Sequence, residues 1–548
     1  MSELLGAEHP ASPREAALAV LAERDVQPPG LVSYLSRGRL LVVGPRDAAV
    51  AAAERLGDRL ECQVFLQENA DPEDFGPAAV QLLGRGRLQR LEGHFGAFRP
   101  VGPAGPFPGP GGRGEAEFDL VLDLGEPPLI GAEVPPIGYF PVAGDSAALE
   151  RAEEQLPEMV GEFDKPRFFH YEADICAHAS RGISGCDRCR TACAAWAIRS
   201  IGDKVEVDPY LCQGCGGCAS ACPSGAMSYA LPSVGELLEL ARRALRAYRD
   251  AGGGAPVILV LDEERGRAAL GDDLAGLPAH VLPLVVEDVG SVGPDAWLAL
   301  LAFGAAEVGL YCAPGTPCAS RAEFDAQLAW VEPLLAALDI DEPRIRHLEV
   351  SAEALPDALA EAPAGLGQPG AFAPLGRKRE LIRLAVDQLG AQALARPEEV
   401  PLPEGSPFGT LRVSAEACTL CMACVSVCPV GALRGGGDSP ELWFHEDVCV
   451  QCGICAGACP EDAITLESRW HFPSQSQPRP RRVAEEKLFR CVRCSKPFAT
   501  EKLIARMQER LQGHWMFEDP EARERLLMCE DCRVRDLLAR EGGLESYQ

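Results

Sequence analysis

CVQCGICAGACP, residues Cys449 to Pro460, contains four cysteines with the spacing C-x2-C-x2-C-x3-C and ends in a proline. The same spacing recurs in Cys212–Pro223 (CQGCGGCASACP) and in Cys418–Pro429 (CTLCMACVSVCP). The chain has 23 cysteines in 548 residues, and twenty of them fall into five groups of four. Such clustering indicates metal sites rather than cysteines scattered through a hydrophobic core.

The spacing has a physical reason. Three thiolates two residues apart on a tight loop can reach three irons of one cubane, while backbone N–H groups of the loop point at its sulfides. The fourth cysteine starts a helix that leads away, so it would ligate another cubane, and the motifs are needed in pairs. The run resembles that of bacterial two-cluster ferredoxins, and the resemblance implies a small α/β fold with internal pseudo-symmetry and [4Fe-4S] clusters.

The chain supplies two such pairs, here called the first unit (residues 166–232) and the second unit (residues 396–470). Both motifs of the second unit are regular, whereas the first unit combines one regular motif with the variant Cys176-x9-Cys186-x2-Cys189-x3-Cys193. In the variant the insertion AHASRGISG displaces the first ligand, and Ala194 replaces the proline. Cys176 is predicted to be a ligand; the alternatives are a three-iron cluster or a ligand from His170 or His178. The predicted cluster ligands are Cys176, Cys186, Cys189, Cys193, Cys212, Cys215, Cys218, Cys222, Cys418, Cys421, Cys424, Cys428, Cys449, Cys452, Cys455 and Cys459.

These cysteines should be shared crosswise, because each fourth cysteine points toward the partner cluster. The expected sets are Cys176, Cys186 and Cys189 with Cys222; Cys212, Cys215 and Cys218 with Cys193; Cys418, Cys421 and Cys424 with Cys459; and Cys449, Cys452 and Cys455 with Cys428. Structural zinc is disfavoured for the regular motifs, since zinc sites use two separated C-x2-C knuckles.

The last four clustered cysteines, Cys491, Cys494, Cys529 and Cys532, do form two such knuckles, 34 residues apart. Two C-x2-C pairs suit tetrahedral sulfur coordination of one zinc, or less often of a single iron. We therefore predict a zinc-ribbon-like C-terminal module (residues 471–548) with a structural role, whose intervening stretch EKLIARMQERLQGHW has the apolar spacing of a helix.

The remaining sequence predicts α/β structure. In the N-terminal region (residues 1–165), GRLLVVGPRDAAVAAAERL followed by a strand at 62–66 is a βαβ pattern, but its turn lacks the glycines of a dinucleotide site. The stretch 101–114, VGPAGPFPGPGGRG, predicts a loop without regular structure. The central region (residues 233–395) alternates strands such as PVILVLD with helical segments, which indicates a parallel α/β scaffold. Its segment LLAFGAAEVGLYC resembles a domain of the methyl-viologen-reducing hydrogenase delta subunit.

The charge and the apolar runs of the chain disfavour some classes of function and location. With 52 basic and 81 acidic side chains the net charge is −29, which disfavours binding to nucleic acid or to anionic membranes. The amino terminus shows no export signal and no apolar run is long enough to span a membrane, so a cytoplasmic location is expected. Reducing conditions there keep thiols available as ligands.

The sequence thus predicts a multidomain α/β chain in which two small α+β ferredoxin-like units accompany α/β domains and a zinc-ribbon-like module. The expected function is that of an electron carrier, not an enzyme, with four [4Fe-4S] clusters and one zinc. It would relay single electrons between a redox donor, such as a dehydrogenase, and an acceptor. Two alternatives remain open: an electron-transfer subunit of a larger complex of the formate dehydrogenase or heterodisulfide reductase type, and a redox sensor or assembly factor.

Overall fold

The computed structural model of the chain describes residues 12–67, 81–109, 114–271, 274, 276–361, 363–391, 393, 396–437, 439–472 and 480–540. Among these residues, no helix combines the length and the apolar character needed to cross a membrane.

The N-terminal region is built on a parallel sheet. Its elements are α1 (Pro13–Leu21), β1 (Leu31–Ser36), β2 (Arg39–Gly44), α2 (Arg46–Leu56), β3 (Glu61–Leu66), β4 (Gln81–Arg85), β5 (Arg90–Glu92), β6 (Arg99–Gly102), β7 (Gly105–Pro106), β8 (Leu120–Asp123), β9 (Tyr139–Pro141), α3 (Ser146–Gln155) and β10 (Gly161–Pro166). Five strands run parallel in the order β4-β3-β2-β8-β9. The apolar run of β2 is buried because both faces of this sheet are covered. The predicted βαβ unit is therefore confirmed, whereas the prediction of no regular structure at 101–114 was wrong at β6 and β7, which pair with each other.

The first unit contains short elements around its cysteines. These are β11 (Phe169–Tyr171), β12 (Ala179–Ser180), β13 (Ile183–Ser184), α4 (Arg188–Thr191), β14 (Ile198–Ile201), β15 (Lys204–Val207), α5 (Gly217–Ala221) and β16 (Met227–Tyr229). The strand before the first motif, β11, pairs with the strand after the second, β16, while β14 and β15 form a hairpin between the motifs. This pairing relates the two halves of the unit by a pseudo-twofold symmetry.

The central region is a parallel α/β sheet, as predicted. Its elements are α6 (Val234–Asp250), β17 (Val257–Asp262), α7 (Ala268–Leu270), β18 (Val281–Val286), α8 (Pro294–Ala302), β19 (Glu307–Tyr311), α9 (Cys318–Ala336), β20 (Ile345–Leu348), α10 (Leu355–Ala358) and α11 (Lys378–Gly390). The strands run parallel in the order β18-β17-β19-β20. Helix α8 is buried along its whole length, which explains its almost entirely apolar sequence.

Helix α1 belongs to this central core rather than to the sheet that follows it in sequence. It packs against α6, and Ala17 is fully buried there. Arg14 Nε donates to the carbonyl of Val281 at 3.2 Å, and Arg24 Nη1 donates to that of Val285 at 2.7 Å. The N-terminal region is thereby tied to the edge strand β18.

The second unit repeats the pairing of the first. Its elements are β21 (Glu399–Pro401), β22 (Gly409–Val413), α12 (Ala423–Val427), β23 (Leu433–Gly436), β24 (Ser439–Phe444), α13 (Ile454–Gly457) and β25 (Ile464–His471). Strand β22 before the first motif pairs with β25 after the second, and β23 and β24 form the intervening hairpin. The two units therefore share one architecture despite the insertion in the first.

The C-terminal module adds a strand to the β23–β24 hairpin of the second unit and then forms a small helical fold. It comprises β26 (Arg481–Glu485), β27 (Leu488–Arg490), β28 (Pro497–Thr500), α14 (Glu501–Leu511), α15 (Pro520–Arg525) and α16 (Glu530–Arg540). Strand β26 pairs with β24 of the second unit, and β27 and β28 form a hairpin. The predicted helix within EKLIARMQERLQGHW is α14, which begins behind the N-cap Thr500.

Candidate metal centres

The cysteine loops of the second unit are held in an unusual backbone conformation. Leu420, Met422 and Gln451 have φ of 54°, 61° and 55°, the left-handed region that favours glycine, and Gly453 has φ of 80°. The turns direct backbone N–H groups inward, so that Leu420 donates to the Cys418 sulfur and Gln451 donates to the Cys449 sulfur. The left-handed residues thus let each loop turn its N–H groups toward its own cysteine sulfurs.

The structure places the fourth cysteine of each motif beside the loop of the other motif. In the second unit one cavity is lined by Cys418, Cys421 and Cys424 together with Cys459. Cys428 lies near the other loop, where burial first and then the charges of Cys449 and Cys428 raise the pKa of Cys452 to about 11. The sulfurs are thus gathered crosswise.

The first unit shows the same crosswise arrangement. Burial and the nearby Cys222 raise the pKa of Cys189 to about 12, and Cys186 and Cys176 are its next neighbours. Cys193 lies near Cys212, Cys215 and Cys218 instead, among the charges that raise their pKa values.

Cys176 lies near Cys186 and Cys189, at the position predicted for the displaced first ligand. It is 7 % exposed, and Tyr171 shares a hydrogen bond with it. His178 uses both ring nitrogens elsewhere, Nδ1 with the carbonyl of Cys186 at 3.1 Å and Nε2 with Ser200 Oγ at 2.7 Å, and His170 is exposed. Cys176 therefore fits the ligand position better than either histidine.

A similar turn follows each fourth cysteine of this chain. The N–H groups of Ala197, Ala432 and Ala463 donate to the sulfur four residues earlier, at 3.3, 3.2 and 3.3 Å. At Cys222 the donor is Met227 at 3.3 Å, because the N–H of Ala226 donates to Ser224 Oγ. Three alanines thus donate to a cysteine sulfur through their backbone N–H groups. Such bonds stabilise a thiolate.

Most thiols of the two units are buried or half-buried, with Cys421 exposed, and this has a consequence for metal binding. Burial raises the pKa of Cys186 to about 11 and that of Cys424 to about 12, so both are protonated at neutral pH before a metal binds. Ligand formation must displace these protons, which couples metal affinity to pH.

The sulfur sets differ in size between the units and the C-terminal module. Among the described residues, the metal-ligating groups that gather three or more ligand atoms within 4.8 Å of one another comprise Cys491, Cys494, Cys529 and Cys532. The sets of the two units are more open than this. A cavity with four thiols around it fits a cluster several atoms across, whereas the compact set fits one ion.

The C-terminal set lies between the β27–β28 hairpin and the start of α16. Cys494 Sγ and Cys529 Sγ are 3.6 Å apart, close to the roughly 3.8 Å between sulfurs that bind one tetrahedral ion at about 2.3 Å. Burial would raise the pKa of Cys491, but backbone N–H groups of Cys529, Cys494 and Arg493 lower it to about 6. The hairpin thus presents a thiolate at neutral pH, as a structural metal site requires.

Two buried cations beside the loops were missed from the sequence. Lys165 Nζ donates to the carbonyl of Cys212 at 2.7 Å, and Arg379 Nη2 donates to that of Cys449 at 2.7 Å. Both lie tens of residues away from the loops that they hold, so no local pattern could have indicated them. Cys62 and Cys312 lie outside the sulfur sets, and burial raises their pKa values to about 11 and about 12.

Comparison with known proteins agrees with the three regular motifs. The 4Fe-4S dicluster domain family matches residues 417–464, and the 4Fe-4S binding domain family matches residues 204–227. A ferredoxin of Saccharopolyspora erythraea is 44 % identical over 57 residues, 10 % of this chain and 52 % of that protein. The pyruvate synthase subunit PorD of Thermotoga maritima is 37 % identical over 60 residues, 11 % of this chain and 60 % of that protein.

A third relative is matched over most of its length. It is an uncharacterized ferredoxin of Methanocaldococcus jannaschii, 39 % identical over 57 residues, 10 % of this chain and 74 % of that protein. The chain spans about half the length of the curated ferredoxins from Saccharopolyspora erythraea and Hydrogenibacillus schlegelii. With two 4Fe-4S domain matches and these relatives, the chain belongs to the ferredoxin family of iron-sulfur proteins.

Proposed function

We propose that this chain is an electron carrier that binds four [4Fe-4S] clusters and relays single electrons between a redox enzyme and an acceptor. The observation that carries the proposal is the crosswise gathering of the fourth cysteines. Cys459 lines the cavity of the Cys418 loop, and Cys222 lies beside Cys186 and Cys189. This is the arrangement that two-cluster ferredoxins need.

We propose four ligand sets, which that placement supports. They are Cys176, Cys186, Cys189 and Cys222; Cys193, Cys212, Cys215 and Cys218; Cys418, Cys421, Cys424 and Cys459; and Cys428, Cys449, Cys452 and Cys455. Bound clusters would supply one-electron chemistry at potentials of roughly −700 to +450 mV.

Backbone and side-chain groups around each ligand set would tune the potential of its cluster. Backbone donors to the sulfurs, such as Ala432 N–H on Cys428, favour the more negatively charged reduced state. The buried Arg379 adds positive charge beside the Cys449 loop and acts in the same direction. The acidic surface, with a net charge of −29, favours docking partners with basic patches.

The C-terminal module would bind one zinc through Cys491, Cys494, Cys529 and Cys532. Support comes from the compactness of this set and from the thiolate character of Cys491. The module docks on the second unit, where Thr500 Oγ1 donates to the carbonyl of Thr419 at 2.8 Å inside the Cys418 loop. We propose that it is a structural cover for this loop.

Five domains are proposed with the boundaries 1–165, 166–232, 233–395, 396–470 and 471–548. The N-terminal and central α/β domains would serve as scaffolds, and the resemblance to a hydrogenase delta subunit stays a prediction.

A second candidate function is an electron-transfer subunit of a larger oxidoreductase, favoured by the similarity to PorD, which is a pyruvate synthase subunit.

Reductive titration of the anaerobically purified full chain tests the carrier function. We expect about sixteen irons and uptake of about four electrons per chain, because each [4Fe-4S] cluster accepts one. Iron near half that value in undamaged protein would overturn the proposal of four clusters. Stoichiometric co-purification with a catalytic dehydrogenase subunit would favour the second candidate function, and recovery of the reducible chain alone would favour a free carrier.

A further inference from the structure

The nine-residue insertion in the first motif forms a fixed hairpin rather than a loose loop. Strands β12 and β13 pair Ala179 with Ser184 and Ser180 with Ile183. At the turn, the backbone N–H groups of Arg181 and Gly182 donate to the carboxylate of Asp203 at 2.9 and 3.1 Å. The hairpin is thereby anchored to the β14–β15 turn of its own unit.

The base of this hairpin touches the second unit. Gly185 has no room for a side chain, because a Cβ placed there would lie 2.7 Å from Ile454 Cδ1 and 2.7 Å from the carbonyl oxygen of Ala177. On the other side of the contact, a Cβ on Gly457 would lie 3.3 Å from Ile183 Cγ2. Ile454 is fully buried although it is the first residue of the short helix α13.

The contact joins two sets of proposed ligands. Gly185 immediately precedes Cys186, and Ile454 immediately precedes Cys455. Within each unit the two sets are also neighbours, since Cys189 is among the groups whose charge acts on Cys218 and Cys424 among those that act on Cys455. The two ligand sets within each unit are therefore close to each other.

A second set of contacts links the two units. Lys378 Nζ donates to the carbonyls of Ala219 at 2.9 Å and Ser220 at 2.5 Å, both in α5 of the first unit. The next residue, Arg379, donates to Asp447 and Cys449 of the second unit. One helix of the central region thus contacts both units.

From these contacts we propose that the β12–β13 hairpin is the electron bridge between the two units, an inference that rests on the proposed function. The clusters would stand in one series. Its order is the Cys193/212/215/218 set, the Cys176/186/189/222 set, the Cys428/449/452/455 set and the Cys418/421/424/459 set. The two middle sets exchange electrons across Ile183, Gly185 and Ile454. Because tunnelling slows steeply with distance, a tightly packed apolar contact suits this step.

The test isolates the two middle clusters in the full chain. Cys215→Ala and Cys421→Ala together remove one ligand from each outer set, so the protein should retain about eight irons. After full reduction, paramagnetic resonance should show splitting from magnetic interaction between the two remaining clusters, since that interaction falls with the cube of distance.

Two substitutions in this background then probe the hairpin. Gly185→Val should lose splitting because it pushes α13 away, and the milder Ile183→Ala provides a second reading if the valine variant does not fold. Ser184→Ala, at the exposed neighbouring position, should keep the splitting. Two reduced clusters without any magnetic interaction in the parent would overturn the series while leaving the carrier function intact. Splitting that survives both Gly185→Val and Ile183→Ala would overturn the role of the hairpin.

Discussion

Glu461 accepts hydrogen bonds from Arg506 Nε and from Arg510 Nη2, both at 3.0 Å. Glu461 lies in the second unit and lines the cavity of Cys418 and Cys459, whereas both arginines lie on α14 of the C-terminal module. Only 7 % of the Glu461 side chain is exposed. The module therefore supplies the positive charge that balances a carboxylate beside a proposed cluster.

Removal of both arginines should change the potential of that cluster. In the double variant Arg506→Ala and Arg510→Ala the Glu461 charge is no longer balanced, so reduction there becomes less favourable. We expect the potential to fall by an amount on the order of tens of millivolts. Redox titration followed by paramagnetic resonance measures it. Glu509→Gln, which removes an exposed partner of Arg506, is the control, and an unchanged potential in the double variant would contradict the prediction.

Arg379 should stabilise the second unit. It is 8 % exposed and donates to the carbonyls of Pro407, Asp447 and Cys449. Arg379→Met leaves three buried acceptors without this donor, which should cost on the order of 3 kcal/mol. Hydrogen exchange of the second unit measures the loss, while the exposed neighbour Arg377→Met should change stability by less than about 0.5 kcal/mol. Equal protection in the two variants would speak against the role of Arg379.

The proposed zinc site and the proposed iron-sulfur sites should lose their metals independently. Cys529→Ser removes one ligand of the compact set, so we expect zinc to fall from about one per chain toward zero while iron stays near sixteen. Elemental analysis of both metals decides the result. Loss of one iron instead of zinc would identify a single-iron site, and loss of several irons would show that the set belongs to a cluster.

Crosswise ligation makes a prediction that distinguishes the motifs. Cys428→Ala should remove the same paramagnetic signal as Cys452→Ala, because the structure places Cys428 beside Cys452. It should spare the signal that Cys421→Ala removes. If Cys428→Ala and Cys421→Ala instead eliminated one and the same signal, each motif would hold its own cluster, and the proposed sets of the second unit would be wrong.

Features with a local sequence signal could be predicted. The runs RLLVVG and VILVLD are buried parallel strands, since continuous apolar residues suit a sheet that is covered on both faces. The cysteine spacing located the loops for a related reason, because ligands that share one loop must be near in sequence. Both signals are contained within a dozen residues.

Features that depend on distant contacts could not be predicted. The stretch 101–114 contains β7, although its glycines and prolines predict a loop. Phe107 there packs against Phe65, with ring centroids 5.2 Å apart, and this contact is formed across 42 positions of sequence. The insertion before Cys186 likewise looks like an interruption of the motif until Ile454 is placed against it.

The docking of α1 on α6 and β18 sets a condition on how the chain is made. Arg14 must find the carbonyl of Val281, 267 residues later. At a synthesis rate of about 5 to 20 residues per second, that partner leaves the ribosome roughly 13 to 53 s after the helix does. The sheet of the N-terminal region can fold in this interval while α1 stays without its partner. Nascent chains should therefore expose helix α1 to chaperones and proteases until the central region is complete.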